Sequence, residues 1–204
     1  MRKFQQTREV IKYAKKYIFG RTLDLGAGSA KYKEIIKEKA AEYVTFDLVP
    51  GENIDIVGNI LNSPFEDESF DTVISTQVLE HVEKPWIMIK EIHRILRKNG
   101  ICILTAPFMV PYHPDPHDFF RYTKEGIDSL FKNEGFKVID CNYYGQTFSV
   151  LLEMIHFIFF NPYTKKSGIW SWRLLRYLAK IAKFMDRFVK TKIVYANIYI
   201  IAKK

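Results

Sequence analysis

Hydrophobic positions along the chain switch repeatedly between two periods. Over residues 4–18, Phe4, Val10 or Ile11, Ala14, and Tyr17 or Ile18 recur at helical spacing, which predicts a leading amphipathic helix. Arg21–Leu25 is a short β-rich run that stops at Gly26-Ala27-Gly28, and 30–40 again has helical character. Tyr43–Asp47 predicts a second strand closed by Pro50-Gly51, Ile54–Val57 a weaker third and Phe70–Ser75 a fourth. Ile87, Ile89, Ile92, Ile95 and Leu96 place a helix over 84–98, with Pro85 near its start and Asn99-Gly100 as its expected stop. The almost wholly apolar Ile101–Ala106 fits a strand buried on both faces, and 123–134 a capped helix ending at Gly135. Segments 137–141 and 194–202 complete the strand set. Strands alternating with helices predict an α/β chain with a Rossmann-like, doubly wound sheet. That sheet should be seven-stranded, mostly parallel and covered by helices on both faces. Residues 1–204 read as one domain. The interval 145–192 is too long for an ordinary connection and reads as a helical insertion before the last strand.

Composition narrows the class. Apolar residues make up 48% and charged residues 26%, which excludes wholesale disorder. Cys102 and Cys141 both lie in apolar runs without ligand-spaced partners, so neither a disulfide framework nor a zinc knuckle is expected, and a reducing cytoplasm is the default. No hydrophobic core of a targeting signal follows the basic start, and the apolar run 148–160 is short of the roughly 20 residues of a spanning helix. The net charge of +8 is unevenly held. Residues 1–144 carry 20 Lys and Arg against 21 Asp and Glu, whereas 145–204 carry 11 against 2. A near-neutral core with a basic, aromatic-rich C-terminal segment follows.

The turn after the first strand carries the clearest chemistry. In Asp24-Leu25-Gly26-Ala27-Gly28-Ser29-Ala30 the glycines allow a sharp bend and close approach of a ligand. Asp47, at the end of the second strand, is placed to accept hydrogen bonds from both hydroxyls of a ribose. With Ser63–Asp71, Val78-Leu79-Glu80-His81-Val82 and Glu91–Gly100, these segments make the stretch from Thr22 to Thr123 resemble a class I S-adenosylmethionine-dependent methyltransferase of the type 11 sort, similar to those of glycan-modifying pathways. The resemblance implies S-adenosyl-L-methionine as cofactor. It places Asp24, Gly26, Ala27 and Gly28 on the methionine and ribose side, and Asp47 and Leu48 at the ribose. Asn59 stands where an Asp usually accepts from the adenine amino group, Ile60 offers a backbone N–H to the ring, and Gln77 sits beside the methionine. Ala30 occupies a position where a third glycine is common, a change expected to touch helix–strand packing.

Among the remaining polar residues, Phe65 and Phe70 read as core rings, His81 as a capping or surface residue, and His93 as a cation favoured by its helix end. The segment Pro107–Thr123 follows the fifth strand, at the sheet edge where open α/β proteins bind ligands. Its histidines, His113 and His117, are candidate bases toward an acceptor hydroxyl. Tyr112, Asp115, Asp118, Arg121 and Tyr122 are candidate acceptor contacts. No metal is expected, because the prolines break any helix that would align His113 and His117 with Asp115.

Arg173, Arg176, Lys180, Lys183, Arg187 and Lys190 repeat at helical spacing beside an apolar stripe of Trp170, Leu174, Leu178, Ile181, Met185 and Phe188, with Asp186 the one acidic residue among them. Residues 165–192 thus suit the anionic inner face of a membrane, with peripheral attachment. Nucleic acid is a weaker partner, since base-stacking rings would have to face outward with the charges. The expected activity is methyl transfer, with oxygen the favoured atom, to a small polar, glycan or lipid-linked acceptor. Its rivals are an RNA or tRNA methyltransferase and a catalytically silent cofactor-binding or scaffold protein. Oligomeric state is left open.

Overall fold

A computed structural model describes residues 4–159, 177–182, 184–186, 188 and 194–204. In chain order the elements are α1 (Thr7–Ala14), β1 (Arg21–Leu25), α2 (Lys33–Lys37), β2 (Glu42–Asp47), β3 (Ile56–Val57), β4 (Phe70–Thr76), α3 (Pro85–Ile95), β5 (Leu96–Pro107), α4 (Lys124–Asn133), β6 (Lys137–Tyr144), α5 (Thr147–Phe159) and β7 (Asn197–Lys203). The strands form one seven-stranded sheet in the order β3-β2-β1-β4-β5-β7-β6. Pairings through β5 are parallel, and β7 runs antiparallel between β5 and β6. This is the Rossmann-like, mostly parallel arrangement that the alternating pattern predicts.

Both faces of the sheet are buried, which explains the continuous apolar run in β5. Cys102, Leu104 and Ala106 pack with Met88, Ile89 and Ile92 of α3 and with Ile127 and Phe131 of α4. Ile101 and Ile103 point the other way, to Val10, Ile11 and Ala14 of α1 and Ile35 and Ile36 of α2. Phe70 is fully buried, and Phe65 packs edge-on against it at 4.9 Å. Burial pushes both thiols up, that of Cys141 to about 12.

Several boundaries differ from the sequence reading. α3 ends at Ile95, and Asn99-Gly100 falls inside β5, where the Asn99 N–H donates to the Lys204 carbonyl at 3.2 Å. The expected helix over 30–40 shrinks to Lys33–Lys37, because the preceding turns carry the chain through Ala30 at φ +52°. Ala30 therefore matters through backbone strain, in the region glycine adopts freely, as well as through packing. His93 packs edge-on to Phe136 at 5.0 Å, and burial followed by the Lys204 charge pushes its pKa down, opposite to the expected cation.

Of the expected insertion, α5 and residues around 177–188 are described. Asp186 is fully buried, and its carboxylate accepts the amides of Phe148 (2.8 Å) and Ser149 (3.2 Å), capping the start of α5. Ala182 packs beside it, while Leu178, Ile181, Met185 and Phe188 are exposed. Trp170, Arg173, Leu174, Arg176, Lys183, Arg187 and Lys190 lie outside the described residues.

Candidate functional site

The sheet delivers β1 and β2 side by side, with Leu25 opposite Phe46, so their C-terminal ends open onto one crevice. Past Leu25 the backbone bends at Gly26 (φ +71°) and Gly28 (φ +52°). The N–H groups of Gly26 and Ala27 both donate to the Phe46 carbonyl, at 2.8 and 3.2 Å, which ties the loop to β2. A Cβ on Gly26 would lie 2.3 Å from a Val78 methyl, whereas a Cβ on Gly28 would meet nothing within 4 Å. Close packing thus requires the first glycine, and the second leaves its approach open.

Asp47 is held by backbone. Its Oδ2 accepts the Gly28 N–H at 2.9 Å and its Oδ1 the Val49 N–H at 3.0 Å. Each oxygen keeps a further lone pair, so the carboxylate is oriented in advance for two hydroxyl donors. A cavity of about 620 Å³ opens in front of it. Gly26, Asp47, Leu48, Asn59, Ile60 and Gln77 line it, joined by Phe46, Val49 and Val82. Six of the nine residues assigned to the cofactor therefore share one wall, and Ala27 and Gly28 belong to the loop that shapes it.

Asp24 stands apart. It is 3% exposed and accepts a 2.6 Å hydrogen bond from the Tyr43 hydroxyl. Burial pushes its carboxyl up to about 6, against the pull of that hydrogen bond and with help from the Asp47 charge. Asn59 also does more than the sequence reading assigned. Its Oδ1 accepts the Leu61 N–H at 2.9 Å and caps the short turn Ile60–Asn62, leaving one lone pair for an amino group. Gln77 adopts φ +57° and turns its amide nitrogen toward Thr105 Oγ1 at 3.2 Å.

The segment after β5 is divided. Asp115, His117 and Phe119 reach the cavity wall, with Pro116 between them. Tyr112 is 67% exposed and does not line it. Arg121 donates to the carbonyls of Val110 and Pro111, each at 3.0 Å, and forks onto both carboxylate oxygens of Asp118. Burial pushes the Asp118 carboxyl up, but Arg121 and the His113 amide outweigh it and bring it down to about 2. Tyr122 is buried and donates to the Leu79 carbonyl at 3.1 Å. Asp118, Arg121 and Tyr122, expected as acceptor contacts, do not line the cavity; they hold the loop's shape, since burying paired polar groups fixes a backbone.

The two histidines part company as well. His117 lines the cavity, whereas His113 stands behind it, with Nδ1 2.8 Å from the Pro111 carbonyl and Nε2 3.8 Å from Glu80 Oε1. The Glu80 carboxylate is the main reason the His113 pKa is raised; at 3.8 Å it acts as an ion-pair partner rather than a hydrogen-bond acceptor. Glu80 itself was missed. It is fully buried, and among the described residues neither carboxylate oxygen has a hydrogen-bond partner. Its sequence signals were its place beside His81 and in the family-like run Val78–Val82, and nothing local reveals that this turn is covered by the 107–123 loop. His81, expected as a cap or surface residue, lines the cavity.

This geometry agrees with the comparisons to known proteins. Residues 23–104 match the type 11 family model, described as a methyltransferase domain. An uncharacterized methyltransferase of Mycobacterium avium is 29% identical over 100 residues, 42% of this chain and 39% of its own. A probable S-adenosylmethionine-dependent methyltransferase of Mycolicibacterium smegmatis is 27% identical over 89 residues, 41% of this chain and 35% of its own. The chain therefore spans about two fifths of these relatives' length. Among solved structures, a SAM-dependent methyltransferase from Archaeoglobus fulgidus superposes with a TM-score of 0.62 at 16% identity, covering 97% of this chain and 94% of that one; a likeness so distant speaks for the fold. Together the domain match and the named relatives make residues 23–104 similar to an S-adenosylmethionine-dependent methyltransferase domain.

Proposed function

We propose that the chain methylates an oxygen of a small polar, glycan or lipid-linked acceptor with S-adenosylmethionine as donor. The observation that carries this reading is Asp47, fixed by two backbone amides at the wall of a cavity large enough for a nucleoside-sized ligand. The donor supplies a methyl carbon already activated by a sulfonium. The chain's residues must then exclude water, align an acceptor oxygen with that carbon and take up the proton the hydroxyl releases. Alignment alone is worth about 7–11 kcal/mol in favourable cases, so a strong base is not required. His117 and Asp115, which line the same cavity as Gly26 and Asp47, are the candidate groups to receive the proton.

Calorimetric titration with S-adenosylhomocysteine tests the donor site. Wild type should bind one equivalent, and Asp47→Ala should weaken binding at least tenfold, since each well-placed charged hydrogen bond is worth about 1.5–3 kcal/mol. Undiminished affinity in that variant would remove the basis of the reading. Release of S-adenosylhomocysteine in an acceptor screen separates turnover from silent binding.

The partner surface is proposed to be an anionic bilayer. Leu151, Ile155, Leu178, Ile181, Phe184 and Phe188 are all exposed, as is Lys180, which supports shallow insertion of apolar side chains with a basic one. Among the described residues, no helix is long and apolar enough to cross a membrane. The outward rings of Tyr177, Phe184 and Phe188 also meet the stacking requirement for nucleic acid, which keeps RNA as the second reading.

A further inference from the structure

Glu80 poses the question that the donor site leaves open. A fully buried carboxylate without a hydrogen-bond donor is costly, by several kcal/mol in an apolar setting, unless a cation joins it. Two imidazoles face it, with His81 Nε2 at 3.7 Å and His113 Nε2 at 3.8 Å from the same oxygen, Oε1. Both rings are turned by their other nitrogen. His81 Nδ1 lies 2.5 Å from the His117 carbonyl, and His113 Nδ1 2.8 Å from the Pro111 carbonyl. A carbonyl only accepts, so each Nδ1 carries a proton and each ring is turned with its Nε2 toward Glu80. Two ring nitrogens thus converge on one carboxylate oxygen.

From this arrangement we propose that Glu80, His81 and His113 bind a divalent transition-metal cation at the edge of the donor cavity. The three ligand atoms lie within 4.8 Å of one another. Around a cation with bonds of about 2.1 Å, neighbouring ligand atoms sit about 3.0–3.4 Å apart, so each histidine must close on Glu80 by a few tenths of an ångström and the two histidines on each other by up to about an ångström and a half. Two imidazoles and one carboxylate suit zinc, manganese or iron(II) better than calcium, whose ligands are oxygens. Backbone carbonyls on the far ring nitrogens provide the outer support usual for metal-bound histidine. The loop is anchored here too, since the Phe119 N–H donates to the Glu80 carbonyl at 2.8 Å.

Position gives the cation its use. His81 belongs both to this cluster and to the cavity wall, beside Asp115 and His117. Three protein ligands leave coordination positions open, and a hydroxyl bound there loses its proton more readily. Resting on the oxygen-methylation reading, the inference thus narrows the acceptor to one whose hydroxyl, or pair of neighbouring hydroxyls, ligates a metal. It also departs from the sequence expectation of no metal, which had grouped His113 with His117 and Asp115 because the partner that matters, Glu80, lies far away in the chain.

Cobalt(II) is the probe. The full chain, freed of metal with a chelator and then dialysed, should take up one equivalent of Co2+, with visible d–d bands showing nitrogen and oxygen ligation. Glu80→Gln keeps the buried shape and should weaken uptake at least a hundredfold. His81→Gln serves as a second variant should the first fail to fold, as judged by its melting curve. Absence of Co2+ binding by folded wild type, or undiminished uptake by a folded variant, would overturn the site. Titration with S-adenosylhomocysteine on the same samples separates the two readings. Donor binding without metal uptake removes only the cation, whereas metal uptake without donor binding leaves the cation and removes the methyl transfer.

Discussion

At the scale of single residues, the donor site depends on groups that burial has made sensitive. Asp24 has a folded-state pKa of about 6 against an ordinary 3.8, so the native state holds its proton more tightly than the unfolded chain does. Stability should then fall as pH rises through that interval, because ionisation is penalised only in the folded protein. Two units correspond to about 3 kcal/mol at full effect. Asp24→Asn, which still accepts from Tyr43, should match wild type near pH 4 and exceed it by up to that amount at pH 7, as measured by urea unfolding at each pH. Gly26 supplies a steric counterpart. Gly26→Ala combines φ +71° with a 2.3 Å clash against Val78, and should lower stability by about 2–4 kcal/mol while abolishing donor binding. Differential scanning fluorimetry with and without S-adenosylhomocysteine would register both losses.

Elements show which parts of the fold were legible beforehand. The strands that lie in the sheet interior announce themselves because burial on both faces demands runs such as Ile101–Ala106, and the glycine bend and Asp47 were readable because backbone geometry and spacing dictate them. The short helix α2 was overestimated, since the apolar residues Ala30 to Ile36 look helical whether or not the chain must first turn through a left-handed residue. Tertiary partners were invisible. Asp186, read as the lone acid on a basic face, caps an α-helix that begins nearly forty residues earlier. Asp186→Ala removes three hydrogen bonds from the start of α5 and should cost about 1–2 kcal/mol, read as faster amide exchange at the start of that helix than in α3. Glu80 belongs to the same class of hidden residue: beside its neighbour His81 it faces His113 from the loop after β5, which no local pattern could connect to it.

For the molecule as a whole, charge and apolar exposure concentrate where the methyltransferase domain match has ended. Sedimentation with liposomes containing phosphatidylserine should retain the protein at low salt and release most of it near 0.5 M salt, as screening shortens the Debye length to about 4 Å. Retention equal on neutral vesicles, or displacement by RNA at stoichiometric amounts, would point away from lipid. One topological feature has a consequence for how the protein is made. β7 lies between β5 and β6 yet is synthesised some fifty residues after β6, so two open sheet edges must wait for the strand that joins them. At roughly 5–20 residues per second, that interval on the ribosome is roughly 3–10 s. Newborn chains thus spend seconds with a vacant slot between β5 and the edge strand β6, long enough for a chaperone, or a neighbouring chain's strand, to compete for it.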